Sequence, residues 1–190
     1  MMPTLNQFSV MLPSWIEKQV DFDATYSSDS QKLQLAIDLS GWNVDNESGG
    51  PFGAAVFDDG SGQLIAVGVN RAVPELCSTA HAEIMAVSLA QKRLQLYRLD
   101  LARDRRFILA SSAQPCSMCF GALLWSGISR LIYGADRDQV MRIGGFEEGP
   151  LPENWQAECE KRRILVEEPF LQKEACEVLK RYNLKNGIVY

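Results

Sequence analysis

Residues 107–125 read Phe107-Ile108-Leu109-Ala110-Ser111-Ser112-Ala113-Gln114-Pro115-Cys116-Ser117-Met118-Cys119-Phe120-Gly121-Ala122-Leu123-Leu124-Trp125. The start of this stretch, Phe107 to Ser111, is a short apolar run and predicts a buried strand. Pro115 to Trp125 predicts a helix with proline in its first turn, where a missing N–H is no loss. Cys116 and Cys119 are three apart, so a helix places both sulfurs on one face. A strand feeding directly into a helix is the repeating unit of layered α/β architecture.

The pattern continues on both sides. Downstream, Leu131 to Ala135 predicts another strand, Asp136 to Ile143 a short helix, and residues 153–162 a further helix. Ile164-Leu165-Val166 is a candidate last strand, and Pro169 to Lys185 a charged amphipathic helix. Upstream, helix is expected from about Ala80 to Leu94, with Ile84 and Val87 in helical rhythm. Phe52–Phe57 and Leu64–Val69 flank Asp58-Asp59-Gly60-Ser61-Gly62, a hairpin signal. Ser27 to Ser30 offers caps for a helix to about Val44, and residues 14–22 could form a short one. The sum is about five strands with helices interleaved, hence a three-layer α/β sandwich.

Two short segments carry the chemistry: His81-Ala82-Glu83 and Pro115-Cys116-Ser117-Met118-Cys119. Zinc favours nitrogen and thiolate ligands, and a catalytic zinc site keeps three protein ligands with a fourth position open. His81 is the only histidine, so it is the imidazole ligand of any such site. Its partners would be Cys116 and Cys119, whose thiolates a helix N-terminus favours. His81 and Glu83 would diverge on a regular helix and converge only at or just before a first turn. Ser78 and Thr79 sit where an N-cap belongs. Glu83 is not needed as a ligand and is free to move protons. Three other readings stand beside this one: a closed structural zinc site that adds Cys77, a thiol redox pair, and chance. Cys159 and Cys176 read as packing residues.

Length and composition narrow the setting. The 190 residues suffice for one domain and leave little room for two. Neither a membrane-length apolar run nor a signal-peptide pattern is present, so the expected compartment is the cytoplasm, with reduced cysteines. Net charge is -5 and the basic residues are scattered in sequence; Arg103, Arg105 and Arg106 are interrupted by Asp104. That balance favours a small neutral substrate and argues against nucleic acid as a partner.

The pattern H-x-E with P-C-x-x-C is the signature of zinc deaminases. With it, the chain resembles the cytidine deaminase-like superfamily, and within it bacterial guanine deaminases, with tRNA adenosine deaminases as near relatives. Gly50-Pro51-Phe52-Gly53-Ala54, Gly68-Val69-Asn70, Thr79 to Glu83, Pro115 to Ala122 and Gly145-Phe146-Glu147-Glu148 carry the likeness, over about residues 30–190. The resemblance implies a three-layer α/β/α sandwich on a central five-stranded mixed sheet. One zinc-binding domain would span residues 27–190, with 1–26 as an extension and 169–190 as a C-terminal helix and tail. It implies a zinc cofactor and a homodimer, with an exchanged C-terminal segment in some members.

The resemblance also implies residue roles. Asn70 would hydrogen-bond a purine ring, Phe52 and Trp125 would line or stack on it, and the Ala82 amide would lie near its exocyclic group. Glu147 or Glu148 would be a second proton shuttle, with Glu147 the first choice, and Tyr190 would cover the pocket. Read without the family, Phe52 and Trp125 could be core aromatics, Asn70 a turn residue, and Glu147-Glu148 a solvated acidic turn. The family commonly has Glu before Pro-Cys, where this chain has Gln114. The expected reaction is guanine plus water to xanthine plus ammonia. Alternatives are another nucleobase, a nucleoside, an amino-triazine or adenosine in tRNA, and, from another class, a zinc-stabilised binding module without turnover.

Overall fold

A computed structural model of the chain describes residues 8–190. Its centre is a five-stranded sheet in the order β2-β1-β3-β4-β5. The strands are β1 (Gly53–Asp58), β2 (Leu64–Val69), β3 (Phe107–Ala113), β4 (Arg130–Ala135) and β5 (Leu165–Val166). β1 pairs antiparallel with both β2 and β3, while β3–β4 and β4–β5 are parallel, so the sheet is mixed. The helices are α1 (Ile16–Gln19), α2 (Asp29–Asp45), α3 (Ala82–Leu94), α4 (Ser117–Ser126), α5 (Arg137–Gln139), α6 (Trp155–Glu160) and α7 (Gln172–Leu184). α5 runs on into one wide turn, Val140–Gly144.

Alternation along the strands builds two cores. Ala55 and Phe57 of β1, Ile108 and Ala110 of β3, and Ile132 of β4 join α2 and α7 on one face. Ala54 and Val56, Phe107 and Leu109, and Leu131 and Tyr133 join α3, α4 and α6 on the other. Successive strand residues point to opposite faces, and both faces are covered, which explains the near-continuous apolar runs in sequence. Two glycines set the layer spacing. A Cβ on Gly53 would meet the Ala36 carbonyl oxygen at 2.4 Å, and one on Gly68 the Ala82 carbonyl oxygen at 2.1 Å.

The element boundaries fall close to the expected ones, with physical reasons where they shift. α2 begins at a capping box, in which the Ser28 hydroxyl accepts from the Gln31 amide and the Gln31 side chain accepts from the Ser28 amide. The final helix begins only at Gln172, because Leu171 is left-handed. The segment before α2 is not detached: Ile16 and Val20 are buried, and the Trp15 indole donates to the Ser48 hydroxyl at 2.8 Å. One composition-level reading is overturned. Arginines scattered in sequence converge in space, with Arg98, Arg105, Arg106, Arg130, Arg162 and Arg163 lining one groove.

Candidate active site

Both chemical segments sit at the starts of helices on one side of the sheet. His81 is the residue before α3, in extended backbone, and Glu83 lies in that helix's first turn. This is the arrangement in which residues two apart can face one point. The expected cap at Ser78 or Thr79 is not formed: His81 itself holds the cap position, and its side chain makes no capping bond. Likewise Cys116 takes the cap position of α4, which leaves Pro115 outside the helix and not in its first turn. Both shifts leave the ligand side chains free to point away from their own helices.

The donor set fits zinc. The His81 Nδ1 lies 3.5 Å from the Cys116 sulfur and 3.6 Å from the Cys119 sulfur. Nitrogen at about 2.0 Å and sulfur at about 2.3 Å from a tetrahedral ion stand about 3.6 Å apart. Among the described residues this trio is the one metal-capable group with its donor atoms within 4.8 Å of one another. Cys77 is not part of it; its sulfur lies 3.2 Å from the Thr79 hydroxyl oxygen. The closed four-ligand site is therefore not formed, and three donors leave a position open.

Electrostatics follow from burial around these thiols. A hydrogen bond from Cys119 and the nearby imidazole draw the Cys116 thiol down to about 4, against its burial. Cys119, as donor and buried, is pushed well above the usual thiol range. Burial raises Glu83 to about 7, and the Cys116 charge adds to that. Burial, then Cys116 and Glu83, raises Glu148 to about 8. Both carboxyls thus lie near neutrality, where a proton carrier works best.

A cavity of about 120 Å³ opens from this cluster, lined by Phe52, Asn70, His81, Glu83, Gln114, Cys116, Phe146, Glu148 and Tyr190, among others. The Phe52 and Phe146 rings meet edge to face at 4.9 Å. Tyr190 closes the mouth, with its ring 5.8 Å from that of Phe146 and 6.3 Å from that of His81. Its phenol hydrogen-bonds the Asn70 side chain, while burial raises it to about 12.

The zinc-binding region model for cytidine and deoxycytidylate deaminases matches residues 26–135. The chain belongs to this deaminase family. A guanine deaminase of Bacillus subtilis is 34% identical over 140 residues, covering 74% of this chain and 82% of that protein. The solved guanine deaminase from Nitrosomonas europaea superposes with a TM-score of 0.90 at 39% identity, covering 96% of this chain and all of that one (100%). A mutant protein solved in complex with 8-azaguanine gives 0.89 at 40% identity, covering 94% of this chain and 98% of that one.

Against the expected site of the deaminase, the fold brings together His81, Glu83, Cys116, Phe52, Asn70, Glu147 and Tyr190 in the pocket lining, with Cys119 beside them. Ala82 is fully buried between His81 and Glu83. Trp125 lies outside the pocket lining of its own chain. It is 67% exposed and lies under the Arg162 guanidinium, 4.9 Å from ring centre to cation. Six residues past Cys119 is about one and two-thirds helical turns, which carries it off the metal face. Glu147, the first choice of shuttle, and its neighbour Glu148 both line the pocket. Glu147 is exposed and accepts from the Gly149 amide, whereas Glu148 is buried. Ser117 ties this loop to α4: its amide and hydroxyl both donate to the Glu148 carbonyl, at 3.0 and 3.1 Å.

Sequence reasoning missed Phe146, although its segment was noted, and it missed Asn43. The fully buried Asn43 amide donates to the Gly50 and Asn70 carbonyls at 2.8 and 2.9 Å, joining the two loops that present Phe52 and Asn70. No local signal marks it, since its partners are up to 27 residues away. Gln114 lines the pocket and accepts from the Arg137 backbone amide at 3.2 Å, a bond that a Glu there would make equally well. Tyr190 lines the pocket of its own chain.

Proposed function

We propose that this deaminase converts guanine and water to xanthine and ammonia. The observation that carries the reading is the pocket itself: about 120 Å³, closed by the chain's own last residue, with a three-donor zinc cluster at its wall. It is well below the ~300–1,000 Å³ of pockets for drug-sized ligands, which suits a single base without its ribose. The guanine deaminases among its relatives, and the 8-azaguanine complex, support the same substrate class.

Held by His81, Cys116 and Cys119, zinc would supply a water that is nucleophilic at neutral pH. Phe52 and Phe146, packed edge to face on each other, would line one side of the ring, and Asn70 would fix its orientation. As the water oxygen bonds to C2, Glu83 takes one proton and delivers it to N3. Glu148 then protonates the 2-amino group, the C2–N bond breaks and ammonia leaves. The water's second proton, released as the C2 hydroxyl becomes a carbonyl, restores the acid. Tyr190 over the mouth excludes bulk water, which strengthens every charge inside.

We read residues 27–190 as one zinc-binding domain, with the preceding segment clasped to it through Ile16, Val20 and Trp15. No helix among the described residues is long and apolar enough to cross a membrane, and a cytoplasmic location is our reading. So is a homodimer, the state that the family resemblance implies. The test is ammonia release from guanine, adenine, cytosine, their nucleosides and amino-triazines. Guanine should give the highest kcat/KM, and a faster nucleoside would overturn the assignment.

A further inference from the structure

The groove that gathers the arginines lies at the other end of the sheet, where β3, β4 and β5 begin with Phe107, Arg130 and Leu165. The zinc ligands follow the far end of β3, so this groove is separate from the active site. It encloses about 710 Å³ and is lined by Arg98, Arg105, Arg106, Arg130, Arg162 and Arg163, against which stand only Asp59 and Asp100. Six arginines thus collect in one place on a chain whose net charge is -5, and three of them have no carboxylate partner among the described residues.

The arginines are not equivalent. Arg98 pairs with Asp100, Arg105 with Asp58, and Arg130 with Asp29, Asp59 and Glu167. Arg106, Arg162 and Arg163 are exposed and have no carboxylate partner among the described residues. Arg163 follows α6 in left-handed backbone, φ 62°, a position where glycine is the usual occupant. Beneath the charges the floor is apolar, formed by Leu124, Ile128, Ile164 and Leu165.

We propose that this groove binds a nucleoside triphosphate. Guanidinium forks match phosphate oxygens two at a time, and several phosphates are needed to answer three unpaired guanidiniums. The apolar floor gives the base and sugar a surface that inorganic phosphate would not use. The groove's volume lies within the range of small-molecule sites.

Adenosine triphosphate is the probe, since its base is not the one assigned to the zinc pocket. Equilibrium dialysis with the zinc-loaded full chain should show saturable binding below about 1 mM. Adenosine should not bind, and inorganic triphosphate should bind several-fold more weakly. The double variant Arg106→Ala, Arg163→Gly should bind at least about tenfold more weakly. It should keep its zinc, its melting temperature and guanine turnover, because glycine relaxes the left-handed residue. No saturable binding, binding unaltered in the double variant, or equal binding of inorganic triphosphate would each overturn the proposal. So would a short single-stranded RNA that binds more tightly than the nucleotide.

Discussion

The two ends of β3 and β4 treat carboxylates in opposite ways. At the zinc end, Glu83 and Glu148 are buried beside thiols with no ion-pair partner, and their pKa values rise to about 7 and about 8. At the arginine end, burial also opposes ionisation of Asp29 and Asp58. There, hydrogen bonds from Arg130 and Lys32, and from Ser61 and Arg105, more than offset it, so both stay below the usual carboxylate range. The same residue chemistry is tuned for proton transfer at one end and for holding the fold at the other. The sign of the shift separates the two jobs. Substitutions at the zinc end should therefore cost activity without stability, and those at the other end the reverse.

The sharpest break should come from the ligands. His81→Ala or Cys116→Ala should lose the copurifying zinc and all measurable turnover, whereas Cys77→Ala should keep both, as metal analysis and ammonia release would show. Loss of zinc in Cys77→Ala would restore the structural-site reading. Next is Glu83→Gln. It should keep zinc and melt no lower than the parent, since it removes a buried unpaired acid, yet lose about 100- to 10,000-fold in kcat. A variant that unfolds instead would place Glu83 among the stabilising carboxylates and erase the contrast.

The second carboxylate tests the contrast at closer range. Glu148→Gln should lower kcat on the order of 100-fold, and Glu147→Gln should change it little. If the two exchange roles, the buried carboxylate of the 145–149 loop is not the working one. This pair also shows how far the sequence can be read. His81, Glu83, Cys116 and Cys119 were legible because each pair lies within one turn, so spacing alone fixes geometry. Glu147 and Glu148 were not separable, because they are adjacent and both line the pocket. Trp125 is exposed for a local reason, since Phe120 and Leu123 claim the buried face of α4 and turn it outward. The strands and helices were legible from periodicity to within a few residues. The arginine groove was not, since it joins residues from 98 to 163 that share no local pattern.

The tail should have a smaller effect. Tyr182 stacks on Phe146 and donates to the Ile188 carbonyl at 2.9 Å, which steers Tyr190 over the pocket. Removing residues 187–190 should leave zinc and melting temperature unchanged and lower kcat/KM for guanine about tenfold. Guanosine should suffer less, because the tail blocks the space a ribose needs. Equal losses for base and nucleoside would reduce the tail to packing.

The smallest effect should lie at the arginine end, where stability and not rate is the readout. Asp58 accepts from the Gly60 and Ser61 amides at 3.1 and 2.9 Å, from the Ser61 hydroxyl at 3.0 Å, and from Arg105 at 2.6 Å. Asn at this position can still accept from the turn amides but loses the charge toward Arg105, so Asp58→Asn should cost about 1–2 kcal/mol. For a chain of this length that is roughly 2–8 °C in melting temperature, with guanine turnover unchanged below the melt. The pH dependence fixes the cause. The folded pKa of Asp58 lies below the unfolded value of 3.8, so its contribution is complete above that value and drains away as pH falls through the folded one. The parent should therefore lose stability below about pH 4 more steeply than Asp58→Asn, and the two melting curves should converge in strong acid. Parallel curves down to that limit would mean that the Asn variant is weakened by packing, and that Asp58 does not hold the hairpin to Arg105 by its charge.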